Sequence, residues 1–180
     1  MNFPKSYADS VAKLRVPSGF VLAGAFLWFS APSAVSLAAG LPVSILGLAL
    51  RGWAAGHLEK NRSLARSGPY ARVRNPLYLG TLIAAAGLVI SAREWRLGLL
   101  FAAFFWLVYL PVVELEEQHL RRLFPDFQDY ARRVPRLLPR FGPVPAGQAF
   151  RWPLYRRNRE YEALAGFLAG AAALIWKVLR

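Results

Sequence analysis

Charged residues in this chain are segregated into blocks that alternate with long apolar runs. Residues 19–50 contain no charged side chain, whereas residues 121–159 contain ten arginines. A water-soluble domain usually disperses its charges over its surface, so this pattern is typical of a chain that crosses a membrane several times. We therefore expect an all-α, polytopic membrane helix bundle, with residues 1–180 forming a single integral membrane domain.

Five apolar segments predict about five transmembrane helices, at approximately residues 17–39, 41–56, 77–92, 97–113 and 163–179. A helix needs roughly 20 residues to cross about 30 Å of hydrocarbon, so the second, third and fifth segments are short for a span. An uncharged turn at residues 38–41 is expected between the first two segments. Short connections predict two helical hairpins packed side by side, an arrangement that tolerates short helices.

The distribution of lysine and arginine predicts the orientation of the chain. Basic residues are concentrated in the N-terminal arm and in residues 60–74 and 121–159, whereas the turn at residues 38–41 has none. We therefore expect a protein embedded in the lipid bilayer of a bacterial inner membrane, with its N-terminus and large basic loops in the cytoplasm. The basic arm before the first apolar run is expected to be a retained signal-anchor and not a cleaved signal peptide.

The formal net charge of +13 raises the question of nucleic acid. The basic loops match no nucleic-acid-binding motif, and the positive-inside bias accounts for them, so we expect no nucleic-acid partner. The chain has no cysteine, which excludes a disulfide framework, a thiol nucleophile and thiolate metal ligands. His57 and His119 lie too far apart in sequence for an HExxH helix, and we expect no metal site.

The stretch "SGPYARVRNPLYLG", residues 67–80, leads into the third apolar segment. Pro76 suits the first turn of a helix and restrains Asn75 to an extended conformation. Arg74 and Asn75 then lie at a helix N-terminus, whose backbone N–H groups favour an anion. Tyr78 follows one turn later, and Gly80 leaves room for close approach to its backbone. Two interpretations stay open: a site for a carboxylate or phosphate ligand with an aromatic part, and a basic interfacial anchor with a boundary tyrosine.

A second polar stretch, residues 112–139, follows the fourth apolar segment and is expected to continue it as an amphipathic helix. Glu114 and Glu117 are three residues apart and share one face, while Glu116 points elsewhere. Carboxylates at a membrane boundary are costly unless they are paired or solvated. Either Glu117 pairs with Arg121 along the helix, or one carboxylate binds a cationic group of a ligand. The proline-broken "RRVPRLLPRF" that follows is expected to fold back as a lid.

Polar residues in and after the second apolar segment also have two interpretations. Arg51 either snorkels towards the cytoplasmic interface, which is slightly favoured, or has a buried functional role. His57 and Glu59 follow at the boundary, where ordinary interfacial residues are expected.

The fifth apolar segment is rich in small residues and contains Gly166 and Gly170. This four-residue spacing lets two membrane helices approach closely. Two uses stay open: packing within the chain, which is favoured, and a homodimer through these glycines.

Two motifs, "GPYARVRNPLYLG" and, after one further span, "EEQHLRRLFPDFQDYARRVPRLLP", occur in order over about residues 51–139. The positions that match a known pattern are Gly68, Tyr70, Arg74, Pro76, Tyr78, Gly80, Glu116, Glu117, Leu120, Phe124, Phe127, Tyr130, Val134 and Pro135. At these positions the chain resembles the isoprenylcysteine carboxyl methyltransferase and phospholipid methyltransferase family. Residues 140–180 are then a basic linker and a C-terminal helix. Asn75 stands where the family frequently has histidine, which excludes a titrating role for that side chain.

The resemblance implies an integral membrane enzyme that uses S-adenosylmethionine. Glu116 and Glu117 would bind the amino group and ribose or close the pocket, and Arg74 would bind the carboxylate, so Glu117 and Arg74 are the predicted catalytic residues. The predicted cofactor-binding residues are His57, Tyr70, Arg74, Asn75, Pro76, Tyr78, Gly80, Glu116, Glu117, Tyr130, Val134, Pro135 and Leu137. The chain has no Gly-x-Gly, so we expect a cytoplasmic pocket built from loops and helix ends and not a Rossmann fold.

The implied reaction is methyl transfer to an amphiphilic or lipid-like acceptor, on a carboxylate oxygen or an amine nitrogen, at the membrane–cytosol boundary. A carboxylate is already nucleophilic, whereas an amine must first lose a proton, and the sequence names no convincing base. One alternative is an NADPH-dependent membrane reductase related to sterol reductases, whose cofactor phosphates the arginines would bind. Another is a non-enzymatic membrane scaffold, which leaves the paired glutamates without a role.

Overall fold

A computed structural model describes residues 5–143 and 147–180. Over those residues the protein is helical, with no β-strand. The helices are α1 (Lys5–Phe29), α2 (Ala34–Ala55), α3 (Pro76–Ala92), α4 (Trp95–Phe104), α5 (Leu110–Leu123), α6 (Phe127–Arg133), α7 (Trp152–Arg157) and α8 (Tyr161–Leu179). A 3-10 turn (Gly68–Ala71) precedes α3, and a π-helical turn (Phe105–Tyr109) joins α4 to α5 without a break.

Within the described residues, three helical stretches are long and apolar enough to cross a membrane: Ala34–Ala55, Trp95–Leu123 and Tyr161–Leu179. Pro17–Phe29 and Pro76–Ala92 are shorter apolar helices. Large apolar side chains stay exposed on these helices, as expected of surfaces that face lipid instead of water. The prediction of an all-α membrane helix bundle is confirmed.

The predicted turn at residues 38–41 is wrong, because those residues lie inside α2 and the chain turns at residues 30–33. Two serines cap the start of α2 reciprocally: the Ser36 N–H donates to Ser33 Oγ at 3.2 Å, and the Ser33 N–H donates to Ser36 Oγ at 2.9 Å. Pro42, directly after the predicted turn, is accommodated within the helix. Helices in lipid tolerate proline where neighbouring groups satisfy the freed backbone carbonyl.

The other predicted segments agree more closely with the structure. The third and fifth correspond to α3 and α8. The fourth begins at Trp95 and continues to Leu123, well past its predicted end. The expected extension over residues 112–139 is confirmed only as far as Leu123, because the helix ends there and α6 follows as a separate helix. The start of the basic N-terminal arm, residues 1–4, lies outside the described residues.

The chain divides into two compact units. The first unit contains Met1–Ser44, Ala85–Gln118 and Leu168–Arg180, and the second contains Ile45–Ala84 and His119–Phe167. α2, α3, α5 and α8 therefore contribute residues to both units. The single membrane domain stays a prediction.

In the first unit, α2 and α3 approach closely where both carry small residues. A Cβ added to Gly40 would collide with the Gly87 carbonyl oxygen and Ser91 Oγ, and would lie 2.6 Å from the Ser91 nitrogen. A Cβ added to Gly87 would lie 2.5 Å from the Gly40 carbonyl oxygen and would collide with Ser44. In each helix two small residues are four positions apart: Gly40 and Ser44 in α2, and Gly87 and Ser91 in α3. These small residues allow the two backbones to touch.

One end of the first unit is tied together by backbone groups and a lysine. The Ala31 N–H donates to the Ala92 carbonyl at 2.9 Å, which joins the two turns at this end. Lys177 Nζ in α8 donates to the Ser30 carbonyl at 2.8 Å, so a cation caps the C-terminal end of α1. Three exposed indoles mark the same end, as expected at a membrane–water interface: Trp28, Trp95 and Trp176.

In the second unit Arg51 has a partner that the sequence analysis did not consider. Its Nε donates to Glu160 Oε1 at 2.5 Å and its Nη2 to Glu160 Oε2 at 3.1 Å, a bidentate ion pair. Nη1 donates to Thr81 Oγ1 and, at 3.3 Å, to the Leu77 carbonyl. The charge of Arg51 is therefore satisfied by Glu160 beside α2 and α3, and its snorkelling towards the interface stays a prediction.

Gly166 and Gly170 do not pack within the described chain. No described atom lies within 4 Å of a Cβ added at either position. The favoured use of this spacing, packing within the chain, is not what the structure shows. The homodimer stays a prediction.

The packing of α2 on α3 makes Gly40→Ala a test of the first unit. We expect the added Cβ to force the backbones apart and to lower the free energy of unfolding by about 1–3 kcal/mol, the usual cost of overpacking. Thermal and denaturant unfolding in detergent would measure this change. Gly24→Ala is the matched control, since a Cβ there meets nothing within 4 Å. Equal stability of the two variants would contradict close α2–α3 packing.

Candidate functional site

Two segments of the second unit, residues 72–75 and 134–140, are bonded to each other, and we call them together the clasp. Each belongs to one of the two motifs found in the sequence. Three main-chain hydrogen bonds join them: from the Arg74 N–H to the Pro135 carbonyl at 2.8 Å, from the Asn75 N–H to the Arg136 carbonyl at 3.2 Å, and from the Arg140 N–H to the Arg72 carbonyl at 2.9 Å. The fold therefore unites two motifs that are distant in sequence.

Prolines explain why residues 134–140 are available for this pairing. Pro135 and Pro139 have no N–H and restrict the residues before them, so the segment cannot continue α6 as a helix. Val134 is extended, with φ −114° and ψ 123°. The carbonyl groups of Pro135 and Arg136 therefore have no helical donor. The N–H groups of Arg74 and Asn75 donate to them instead. The predicted fold-back of this segment is confirmed, whereas its action as a lid stays a prediction.

A buried tyrosine pair supports the clasp from α6. Tyr130 Oη donates to the Tyr70 carbonyl at 2.8 Å. Both tyrosines are buried, and Phe127 packs edge-on against Tyr130 with ring centres 6.1 Å apart. The bond fixes α6 to the 3-10 turn. Tyr70 and Tyr130, two of the predicted cofactor-binding residues, therefore have structural contacts.

Asn75 bonds to the other segment of the clasp through both its backbone and its side chain. Its carbonyl accepts the Leu79 N–H at 3.0 Å, so it immediately precedes the first turn of α3. Its Nδ2 donates to the Arg136 carbonyl at 3.2 Å, the same oxygen that accepts its backbone N–H. Asn75 is a predicted cofactor-binding residue, and the structure adds a role in holding residues 134–140.

Asn75→Asp tests this role, because aspartate is an equally good N-cap but cannot donate. We expect the carboxylate to face the Arg136 carbonyl and to lower the free energy of unfolding by about 1–3 kcal/mol. Hydrogen exchange of residues 134–140, followed by mass spectrometry, should become faster. Asn61→Asp is the matched control, since the Asn61 side chain already accepts from His119 Nε2 through its oxygen. Unchanged hydrogen exchange of residues 134–140 in Asn75→Asp would show that the Asn75 side chain does not hold this segment.

His57 lies just beyond the end of α2 and is buried in the second unit. Its Nδ1 is 3.0 Å from Ser67 Oγ, and its ring lies edge-on to Trp53 and Phe150, each at 6.3 Å. Gly68 has φ +57°, and a Cβ there would lie 2.6 Å from His57 Nε2, so only glycine suits both the backbone and the space. Burial, and secondarily the Arg151 guanidinium, lower the pKa of His57 below its usual value.

This lowered pKa predicts acid sensitivity. Above about pH 7 the imidazole is neutral in both the folded and the unfolded chain, so it adds no pH dependence. Below about pH 6.5 the unfolded chain takes up a proton that folded His57 resists, and stability falls. Unfolding of His57→Gln between about pH 7 and pH 5 should show a weaker loss of stability than the wild type. His119→Gln is the control, and an unchanged pH slope in His57→Gln would contradict the assignment.

The second unit contains a cavity of about 690 Å³. Its wall includes three of the predicted cofactor-binding residues: His57, Tyr130 and Val134. It also includes three arginines, Arg66, Arg133 and Arg140, and no carboxylate lies among the described lining residues. Arg66 lies 2.5 Å from Asp126 outside the wall, and this hydrogen bond lowers the pKa of the Asp126 carboxyl. The cavity is therefore basic with aromatic rings in its wall.

Most other predicted residues of the second unit are not part of the described lining of the cavity. Arg74, Asn75 and Pro135 belong to the clasp, with Pro76 directly after its first segment and Leu137 within its second. Tyr70 and Tyr78 are buried. Gly80 does leave room, but Arg51 Cγ and the Gly47 carbonyl occupy it, at 2.6 and 2.7 Å from an added Cβ. The lack of a side chain at Gly80 therefore allows α3 to pack against α2.

The glutamates belong to the first unit. Glu114 and Glu117 are buried, with 3 % and 1 % of their surfaces exposed, whereas Glu116 is exposed. The predicted sharing of one face by Glu114 and Glu117 is confirmed. The resemblance pointed to Glu116 and Glu117, and it did not indicate that Glu114 is buried beside Glu117 on the same face.

Other residues of the cavity wall were missed for different reasons. Arg66 and Arg133 were counted only as orientation signals. Gly147 and Gln148 lie beyond the resembling region, and a Cβ added to Gly147 would lie 2.7 Å from Ser67 Cβ. No local sequence pattern marks this contact. Among the described residues, no group of three His, Cys, Asp or Glu is placed to hold a metal ion.

The fold and these sites define the class of the protein: a helical membrane protein with a basic cavity among loops and helix ends. Residues 42–126 match the model of the phospholipid methyltransferase family. The protein-S-isoprenylcysteine O-methyltransferase of Schizosaccharomyces pombe is 28 % identical over 141 residues, which cover 75 % of this chain and 59 % of the relative. Over these residues the chain is similar to the isoprenylcysteine carboxyl methyltransferase and phospholipid methyltransferase family.

Two bacterial relatives are more similar over a shorter region. The nickel-cobalt-cadmium resistance protein NccN of Alcaligenes xylosoxydans xylosoxydans is 37 % identical over 109 residues, which cover 57 % of this chain and 51 % of the relative. The cobalt-zinc-cadmium resistance protein CzcN of Cupriavidus metallidurans is 36 % identical over 106 residues, which cover 56 % and 49 %. The chain thus spans about half the length of these curated relatives. No solved structure matches it significantly.

Proposed function

We propose that this protein is a membrane enzyme that transfers a methyl group from S-adenosylmethionine to an amphiphilic or lipid-like acceptor. Similarity to the phospholipid methyltransferase family supports methyl transfer, and the apolar helices suit an acceptor that is delivered from the bilayer. The observation that carries the proposal is the clasp. It binds the two family motifs to each other, and its residues Val134 and Arg140 line the cavity.

The volume of the cavity suits this cofactor, and its arginines complement the carboxylate but not the amino group or the sulfonium. The cavity volume of about 690 Å³ lies within the usual range of small-molecule sites, about 300–1,000 Å³. Arg66, Arg133 and Arg140 would hold a carboxylate, and the rings of His57 and Tyr130 would contact the adenine. When bound, the cofactor supplies an electrophilic methyl group on a sulfonium. The protein contributes binding, positioning and placement of charge.

The role of Glu117 at the cofactor's amino group is proposed from the resemblance, since Glu117 belongs to the second motif. Glu116 is exposed and suits this role less. Arg74 keeps its proposed role at the carboxylate, with its backbone held by the clasp.

The acceptor is proposed by chemical class only. A carboxylate oxygen would attack the methyl group directly, whereas an amine nitrogen would need to lose a proton. We place this chemistry at the cytoplasmic side of a bacterial inner membrane, because the basic loops of the chain satisfy the positive-inside rule only in that orientation.

Calorimetry on the purified full-length protein would test the proposal. We expect S-adenosylhomocysteine to bind and NADPH not to bind. Glu117→Gln should weaken S-adenosylhomocysteine binding by about 1.5–3 kcal/mol, the usual contribution of a hydrogen bond to a charged group. Arg74→Ala should weaken it to a similar extent.

Glu116→Gln is the matched control, since it removes the same charge from the next position along α5 while that side chain is exposed. Its affinity should remain that of the wild type. Binding of NADPH alone would favour the reductase. Equal affinity of Glu117→Gln and Glu116→Gln would remove Glu117 from the site. Methylation of membrane lipid extracts with labelled cofactor would then identify the acceptor.

A further inference from the structure

α7 presents an exposed aromatic and cationic face shortly before the start of α8. Trp152, Pro153 and Arg156 line a shallow, open groove, and Trp152 is 67 % exposed. Trp152 and Arg156 are four residues apart on a helix, so the indole and the guanidinium lie on one side, a turn apart. The groove is separate from the cavity, and it lies beyond residues 42–126, which match the family.

The groove is held firmly by its surroundings in the second unit. The Trp152 ring lies edge-on to Phe150 at 5.0 Å and to Tyr155 at 5.7 Å. Leu154, on the opposite side of α7, is buried. Asn158 Nδ2, just after α7, donates to two carbonyls at the end of α2, at 2.9 and 2.8 Å. Little conformational freedom therefore remains to be lost when a ligand binds.

The position of α7 along the chain places it at the membrane boundary. α8, a candidate membrane span, begins at Tyr161. An extended chain advances at most about 3.6 Å per residue, so the end of α7 lies within about 14 Å of that span. Glu160, between the two helices, pairs with Arg51 in the last turns of the α2 span. α7 is therefore level with the headgroups of the bilayer.

The charges around α7 leave two arginines for a ligand. Arg151 is paired with Glu59 at 3.2 Å, and Arg159 is paired with Glu162. Arg156 and Arg157 are exposed, and no carboxylate among the described residues forms an ion pair with either. An anionic partner at the bilayer surface complements this charge.

We propose that the groove of Trp152, Pro153 and Arg156 binds the headgroup of an anionic phospholipid. The Arg156 guanidinium forms paired hydrogen bonds with the phosphate, a geometry that guanidinium matches and ammonium does not. The Trp152 indole packs at the boundary of glycerol and acyl chain, where tryptophan is enriched in membrane proteins. Because this lipid site is separate from the cavity, it does not rest on the proposed methyl transfer.

Native mass spectrometry of the full-length protein in detergent, titrated with phosphatidylglycerol or phosphatidylcholine, tests the site. We expect the wild type to bind phosphatidylglycerol more tightly, as a juxtamembrane arginine attracts anionic lipid. Arg156→Gln should raise the dissociation constant for phosphatidylglycerol by about fivefold or more, the effect of losing one such charge. Trp152→Leu should weaken both lipids. Melting temperatures would confirm that the variants fold.

Arg157→Gln is the matched control, because it removes the same charge from the same helix but not from the groove. It should change the dissociation constant less than about twofold, and Arg156→Lys should fall between Arg156→Gln and the wild type. Equal losses in Arg156→Gln and Arg157→Gln would overturn the site in favour of general attraction to charge. Equal binding of the two lipids by the wild type would overturn it as well.

Discussion

Close contact between the backbones of α2 and α3 is the constraint on which the rest of the structure depends. Helices in lipid gain little from burying apolar side chains against each other, so small residues that let backbones meet become decisive. Gly40 and Gly87 provide this contact in the first unit, and Gly47 and Gly80 provide it in the second. The contact of Gly47 with Gly80 holds the last part of α2 beside the first part of α3. The end of α2 leads into His57, and the start of α3 follows the clasp.

Charge segregation predicts the helices well, because a span in lipid has few alternatives to a helix. It predicts their ends less well. Pro42 indicates a turn by the rules of soluble proteins, yet it lies inside α2. The capping serines, Ser33 and Ser36, were readable in the sequence but carry a weaker signal than a proline.

The site shows a similar limit. The two motifs predict which segments belong together, and the clasp joins them. They do not predict what each side chain contacts, because that depends on residues brought in from elsewhere in the chain. Gly80 is filled by Arg51, and the ion pair of Arg51 depends on Glu160, which lies far along the sequence. Likewise Gly166 and Gly170 have a favourable spacing but no neighbour, whereas Gly40 and Gly87 make the contact.

Asn75 connects the departure from the family pattern with the fold. The resemblance places histidine at this position in many members, and both side chains offer a nitrogen that can donate. In this chain the donor reaches the Arg136 carbonyl and holds residues 134–140 against the start of α3. Asparagine meets a requirement for a donor at this position without any titrating group. This bond also explains why the polar side chain is buried: its partner is a backbone carbonyl that the prolines of the second motif leave without a helical donor.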